Sequence, residues 1–163
     1  MDPYLAIASK RDERAYADTP VPAEVRRRIL DAGRLSGSSK NRQRWEFAVV
    51  SGQPKKDLAE AVYAPENVRS AALVVAIVGE AGGFDSGRCA QNMMLAAWGD
   101  GVVSCPNGVR DADAAAEICG GEVRAILSFG YPARPREPAS RSAEEWSERA
   151  NRKPLAELVR EVG

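Results

Sequence analysis

The chain has 163 residues and no net formal charge; 44% of its residues are hydrophobic and 28% are charged. This length and composition predict one globular domain, residues 1–163, which buries about 70% of the surface that the unfolded chain exposes. Because the sequence contains no histidine, it excludes Ser-His-Asp and Cys-His catalysis and any histidine-based metal site.

The charges are unevenly distributed along the chain. Residues 1–44 carry ten Lys and Arg against six Asp and Glu, whereas residues 45–133 carry six against eleven. This pattern favours a local anion site over a nucleic-acid surface. The basic run Arg26–Arg28 is most simply a solvated helix face; the alternative is a basic interaction patch.

The three cysteines are widely spaced and contain no C-x-x-C pair. They predict buried, reduced thiols in a cytoplasmic protein, with no zinc site and no other metal. The first apolar run, residues 4–8, is too short for a signal peptide.

Hydrophobic periodicity predicts helices and strands that follow one another along the chain. Helices are predicted over residues 2–10, 23–36, 54–63, 84–101, 111–119 and 144–150, and strands over residues 45–51, 71–79, 102–105 and 123–131. This order indicates an α+β or α/β domain of three layers.

The helix over residues 84–101 is apolar on nearly every face, with Asp85 and Ser86 as a plausible start. It is far shorter than the roughly 20 apolar residues that cross a bilayer, so it is expected to be a central helix buried on all sides. Gln91 and Asn92 then need hydrogen-bond partners, which could lie in a second subunit.

Four segments, taken in this order, resemble the nitroreductase family of FMN-dependent oxidoreductases. They are KRDERAY (10–16), SGSSKNRQRWEFAVVS (36–51), FDSGRCAQNMMLAAWGDG (84–101), and GYPARPR (130–136) followed by NRKPLAELV (151–159). The resemblance implies an α+β three-layer α/β/α sandwich, with a mixed, mostly antiparallel sheet around a long central helix. It also implies a homodimer in which two chains build each FMN site at the subunit interface.

The resemblance also implies the residues that contact FMN. Arg152, with Lys10 or Arg11, would hold the phosphate, and Arg14 would lie near the pyrimidine edge of the flavin. The other implied contacts are Ser38, Ser39, Asn41, Asn67, Asn107, the backbone of Gly108 near flavin N5, and Asp12, which stands where the family often has Ser. By sequence alone, Cys105-Pro106 fits an ordinary turn equally well.

The activity that the resemblance implies is hydride transfer from NAD(P)H through flavin N5 to a small acceptor such as a nitroaromatic or a quinone. The cycle would be ping-pong and needs no protein acid or base. No nucleic-acid or membrane partner is expected. The alternative is a non-catalytic flavin or deazaflavin carrier on the same fold. The chain is short for the family, so its substrate pocket is expected to be open or differently roofed.

Overall fold

The computed structural model describes residues 2–162, which form two compact units. One unit runs from Arg11 to Arg136, and the other comprises the residues up to Lys10 and from Glu137 onward. The helices are α1 (Pro3–Ser9), α2 (Ala23–Arg34), α3 (Gly52–Glu60), α4 (Pro65–Arg69), α5 (Gly83–Gly99), α6 (Ala112–Cys119), α7 (Ala143–Arg149) and α8 (Leu155–Leu158). The strands are β1 (Glu46–Val50), β2 (Leu73–Val78), β3 (Val103–Asn107) and β4 (Val123–Gly130).

The four strands form one sheet in the order β1-β2-β4-β3, so β1 and β3 are its two edges. Each neighbouring pair is antiparallel, with Val75 opposite Leu127 and Cys105 opposite Ser128. The predicted α+β class is confirmed. The sequence predicts a mixed sheet, but among residues 2–162 the parallel pairing is limited to a single bridge between Asp12 and Ser104.

Helices cover both faces of this sheet. Alternate residues of β2 (Val74, Ala76 and Val78) pack with α3, α4 and α6, whereas its other residues (Leu73, Val75 and Ile77) pack with α2 and α5. Because both faces are buried, β2 reads as a continuous apolar run without polar alternation. The predicted three layers are therefore confirmed.

The central helix α5 begins at Gly83, two residues before the predicted start at Asp85, with Gly82 as its N-cap. One side of the helix, including Cys89 and Met93, is buried. The opposite side is exposed in the single chain, at Gly87, Arg88, Gln91 and Asn92. Burial on all sides is therefore not seen within one chain. The Asn92 amide has a partner in its own chain, because it donates to Ser36 Oγ at 2.8 Å.

The third helix ends earlier than its pattern predicts, at Glu60 instead of residue 63. The reason is a tertiary pairing that competes with helical hydrogen bonds. The N–H of Tyr63 donates to Gly108 O at 3.0 Å, and the N–H of Arg110 donates to Ala61 O at 2.8 Å. Val62 thus forms a bridge with Val109 instead of continuing the helix, and the unpredicted α4 begins at Pro65.

In the unit that contains α1 and α7, side-chain hydrogen bonds cap the starts of these two helices. The Asp2 carboxylate accepts from Leu5 N at 2.9 Å, at the start of α1. Ser142 and Glu145 form a capping box at the start of α7. Trp146 Nε1 donates to Pro138 O at 2.8 Å. Within the described residues, no helix has both the length and the apolar character needed to cross a membrane.

Candidate functional site

The charged segment Arg11–Tyr16 lies along the outer edge of β3. Asp12 forms its bridge with Ser104 there, and the N–H of Glu13 donates to Ser104 O at 3.0 Å. The Glu13 carboxylate also receives two hydrogen bonds from the Arg136 guanidinium, Nε at 2.6 Å and Nη2 at 2.8 Å. Two-point pairing of this kind fixes both side chains. The segment is therefore anchored where it passes β3.

The far end of the same segment is anchored at the end of β4. The N–H of Ala17 donates to Tyr131 O at 2.8 Å, and Tyr16 forms a bridge with Pro132. The Tyr16 ring lies on Gly130, where an added Cβ would approach Tyr16 Cδ1 to 2.8 Å. A glycine at position 130 is thus required for the ring to pack there.

Pro106 lies inside β3, so the alternative that Cys105-Pro106 forms an ordinary turn is wrong. Ser104 directs its carbonyl outward to Glu13, and alternate residues of a strand direct their peptide groups to the same side. Pro106 therefore also faces outward on an edge strand. The missing N–H of the proline removes no ladder bond at that position.

Strand β3 ends at Asn107, and the residues that follow, Gly108 and Val109, pair with residues 61–63. Tyr63 N–H donates to Gly108 O, whereas the reciprocal bond from Gly108 N–H to Tyr63 O is not among the backbone hydrogen bonds of residues 2–162. Gly108 is exposed. This N–H is thus available to a ligand, and the glycine lets a flat group approach the backbone closely.

A buried polar cluster of Tyr16, Ser128 and Asn107 lies directly before Gly108, and we call it the Ser128 cluster. The Tyr16 and Ser128 hydroxyl oxygens are 2.8 Å apart, and Asn107 Nδ2 donates to Ser128 Oγ at 3.2 Å. Burial raises the pKa of Tyr16 to about 12. No sequence pattern indicates this cluster, because Tyr16 and Ser128 are 112 residues apart in the chain.

The side chain of Asn67, another predicted site residue, is buried on α4. This helix contacts β3, and it begins just after Tyr63, which binds Gly108. Arg11, Asp12, Arg14, Asn67, Asn107 and Gly108 are thus carried by elements that meet along β3.

The predicted residues Ser38, Ser39 and Asn41 lie elsewhere, in the loop between α2 and β1. Ser38 Oγ accepts from Gln43 N at 2.9 Å, and Asn41 has a positive φ of 53°. The loop is packed beside α5, since an added Cβ on Gly37 would lie 2.6 Å from Arg88 Nη2. It leads into β1, the edge of the sheet opposite to β3. One chain therefore does not bring this group together with the residues along β3.

Lys10 and Arg152 belong to the other compact unit. The N–H of Lys10 donates to Ala6 O at 3.0 Å, which closes α1. Arg152 is exposed in the connection between α7 and α8. Both cations are thus on the surface of their unit or close to it.

Comparison with known proteins agrees with this architecture. The model of the nitroreductase family matches residues 7–82. A 4-nitrobenzoate reductase from Pseudomonas putida is 38% identical over 53 residues, which are 32% of this chain and 23% of that protein. The matched stretch therefore spans about a quarter of that relative.

Solved structures match over the whole chain. A nitroreductase family protein from Clostridium difficile superposes with a TM-score of 0.82 at 22% identity, covering 98% of each chain. A nitroreductase from Desulfovibrio desulfuricans, solved in complex with FMN, superposes with a TM-score of 0.79 at 26% identity, covering 100% of this chain and 98% of that one.

These matches define the class first: the three-layer α+β fold is the nitroreductase fold. In sequence the chain matches the nitroreductase family model over residues 7–82, and in fold it matches solved nitroreductase structures over its whole length. This chain covers 98% of each of these two solved structures.

Proposed function

We propose that the protein is an FMN-dependent oxidoreductase that passes hydride from NAD(P)H to a small acceptor such as a nitroaromatic or a quinone. The observation that carries this proposal is the arrangement along β3, where the charged segment Arg11–Tyr16 runs beside the strand and the available N–H of Gly108 follows its end. The FMN-bound relative and the 4-nitrobenzoate reductase support the same conclusion.

The residues present fit the two ends of FMN. A phosphate dianion needs cations, and a hydrogen bond to a charged group contributes about 1.5–3 kcal/mol. Arg152, with Lys10 or Arg11, supplies them in our proposal, and the planar guanidinium of Arg suits phosphate. Asp12 places a carboxylate beside these cations, whereas the neighbouring Glu13 carboxylate is paired with Arg136.

The flavin ring would lie against Gly108, the residue that follows β3. Bound FMN supplies the hydride chemistry, accepting hydride from the nicotinamide and giving it to the acceptor. The Gly108 N–H would donate a hydrogen bond near N5. The Arg14 guanidinium would stabilise negative charge at the pyrimidine edge, and Asn67 and Asn107 would border the ring.

The site is proposed to be completed by a second copy of the chain. Ser38, Ser39 and Asn41 lead into one edge of the sheet, whereas Gly108 follows the strand at the opposite edge. A partner chain would supply this loop, and the exposed side of α5 would form the interface. Sedimentation of the purified protein tests this, since a monomer that binds FMN stoichiometrically would contradict the two-chain site.

The remaining parts of the proposal concern extent and location. We infer that residues 1–163 act as one FMN-binding domain. The buried thiols of Cys89, Cys105 and Cys119 fit a reducing cytoplasm.

The first experiment is the visible absorption spectrum of the purified protein, with the released cofactor identified by mass. We expect one FMN per chain and oxidation of NADH or NADPH when 4-nitrobenzoate or a quinone is added. FMN binding without turnover for either nicotinamide would favour the carrier alternative. A chain that neither contains nor takes up FMN would refute the proposal. The variant Arg160→Ala removes an exposed cation outside the proposed contacts. It should keep the FMN content of the wild type and is the control for non-specific charge effects on FMN binding.

A further inference from the structure

The Ser128 cluster joins the two backbone segments that carry the proposed flavin contacts. Tyr16 follows Arg14 in the charged segment, and its hydroxyl lies 2.8 Å from Ser128 Oγ. Asn107 precedes Gly108, and its Nδ2 donates to the same oxygen at 3.2 Å. Ser128 Oγ is thus bonded to both segments from a third element, β4.

The protons of the cluster can be assigned. The Ser128 hydroxyl donates to Cys105 O at 3.2 Å, which leaves its oxygen to accept from Tyr16 and from Asn107. Tyr16 is then the donor to Ser128 Oγ, because the single proton of the Ser128 hydroxyl is directed to Cys105 O. Ser128 is fully buried, so the hydroxyl has no competing water.

We propose that Ser128 is a positioning residue for the flavin site, which sets the separation between the Arg14 segment and the Gly108 N–H without touching the cofactor. This inference rests on the proposed function. It differs from a purely structural role because Tyr16 and Asn107 each have another partner. Tyr16 can donate to Glu13 O at 3.1 Å, and Asn107 to Ile126 O at 3.3 Å.

Removing the Ser128 hydroxyl therefore leaves each segment bonded but breaks the short link between them. The contact that remains, from the Tyr16 hydroxyl to the Ser128 carbonyl, is longer at 3.4 Å. The expected effect is displacement of Arg14 relative to Gly108, which changes the affinity and the midpoint potential of the flavin more than it changes folding.

The test compares Ser128→Ala, Tyr16→Phe and the double variant in the full chain. Val75→Ala is the control, because this buried β2 residue lies on the opposite face of the sheet and its truncation lowers stability without touching the cluster. We expect Ser128→Ala to raise the Kd for FMN about fivefold and to shift the midpoint potential. The Kd of the double variant for FMN should be no higher than that of the single variant with the higher Kd, because Ser128 and Tyr16 act through the same hydrogen bond. Val75→Ala should leave both quantities unchanged.

Two outcomes separate this inference from the proposed function. If the wild type binds FMN and Ser128→Ala matches Val75→Ala in Kd and potential, the positioning role is wrong and the proposed function stands. If the wild type binds no FMN, hydrogen exchange of the Glu13 N–H in the cofactor-free chain decides. Faster exchange in Ser128→Ala than in Val75→Ala supports positioning, and equal exchange overturns it.

Discussion

Gly33 of α2 packs directly against Met93 of α5. An added Cβ on Gly33 would meet the Met93 side chain and would lie 2.8 Å from Phe47 Cζ. Ile29, one turn earlier, is fully buried in the same interface. The two helices can approach this closely because position 33 has no side chain.

We expect Gly33→Ala to destabilise the fold by about 1–3 kcal/mol, since the new methyl group overpacks the interface. The measurement is the free energy of unfolding from urea denaturation. Gly99→Ala is the control, because an added Cβ there meets no atom within 4 Å. A Gly33→Ala variant as stable as the wild type would show that Met93 moves aside without cost.

Gly108→Ala separates cofactor binding from folding. The new Cβ would lie 3.1 Å from Tyr63 Cδ2, but the Tyr63 side chain is 73% exposed and can move. We expect little change in stability and a clear loss of FMN affinity, because the methyl group occupies the proposed face of the flavin. Fluorescence titration with FMN measures this. Unchanged affinity would place the ring elsewhere.

Arg152→Ala tests the proposed phosphate contact. Loss of one charged hydrogen bond of about 1.5–3 kcal/mol corresponds to roughly a tenfold to hundredfold rise in the Kd for FMN. Riboflavin, which lacks the phosphate, should bind the variant and the wild type equally. Arg149→Ala, three residues earlier at the end of α7, is the matched control. Stoichiometric FMN retained by purified Arg152→Ala would rule out this role.

The Tyr16 phenol predicts a dependence of stability on alkaline pH. Its pKa in the folded protein is about 12, above the ordinary value of 10.0, because burial disfavours the anion. The stabilisation is therefore complete below pH 10 and is lost as the pH rises through about 12. It amounts to about 2 kcal/mol. Urea unfolding from pH 9 to pH 12 should show a steeper decline for the wild type than for Tyr16→Phe, and parallel curves would contradict this.

The ion pair of Glu13 and Arg136 should contribute more than an exposed pair. The Glu13 side chain is only 15% exposed and accepts two bonds from one guanidinium. We expect Glu13→Gln to cost about 1–2 kcal/mol of unfolding free energy. Glu66→Gln removes an exposed partner of Arg69 and should cost less than about 1 kcal/mol. If both substitutions lowered the unfolding free energy by the same amount, the burial of Glu13 would add nothing to the strength of its ion pair.

The elements that can be predicted from the sequence are those that their own residue pattern specifies. The apolar run that includes Val74 and Ile77 specifies a strand buried on both faces, and α5 was found from its apolar surface. The end of α3 could not be predicted, because pairing of Ala61 and Tyr63 with a segment more than forty residues away overrides the helical pattern. Pro106 extends β3 past residue 105, where the pattern predicts its end, for a related reason: only the edge position of β3 makes a strand proline acceptable.

The candidate site can likewise be predicted only in part. The residue types indicate the charged segment and Gly108, but the sequence spacing does not predict that both lie along β3. The Ser128 cluster was missed because Ser128 sits in an apolar strand pattern, and its importance depends on Tyr16, 112 residues away. The positive φ of 53° at Asn41 was likewise not visible, since the loop has no periodicity.

The Glu13–Arg136 pair has a topological consequence. Arg136 is the last residue of the unit Arg11–Arg136, and Glu13 lies two residues after the first. The ion pair therefore holds the two ends of this unit together without a covalent bond. Domains whose termini are close tolerate circular permutation and insertion into other proteins. A short peptide linker between residues 136 and 11 would replace this ion pair by a covalent connection. New termini could then be placed in any exposed loop of the unit.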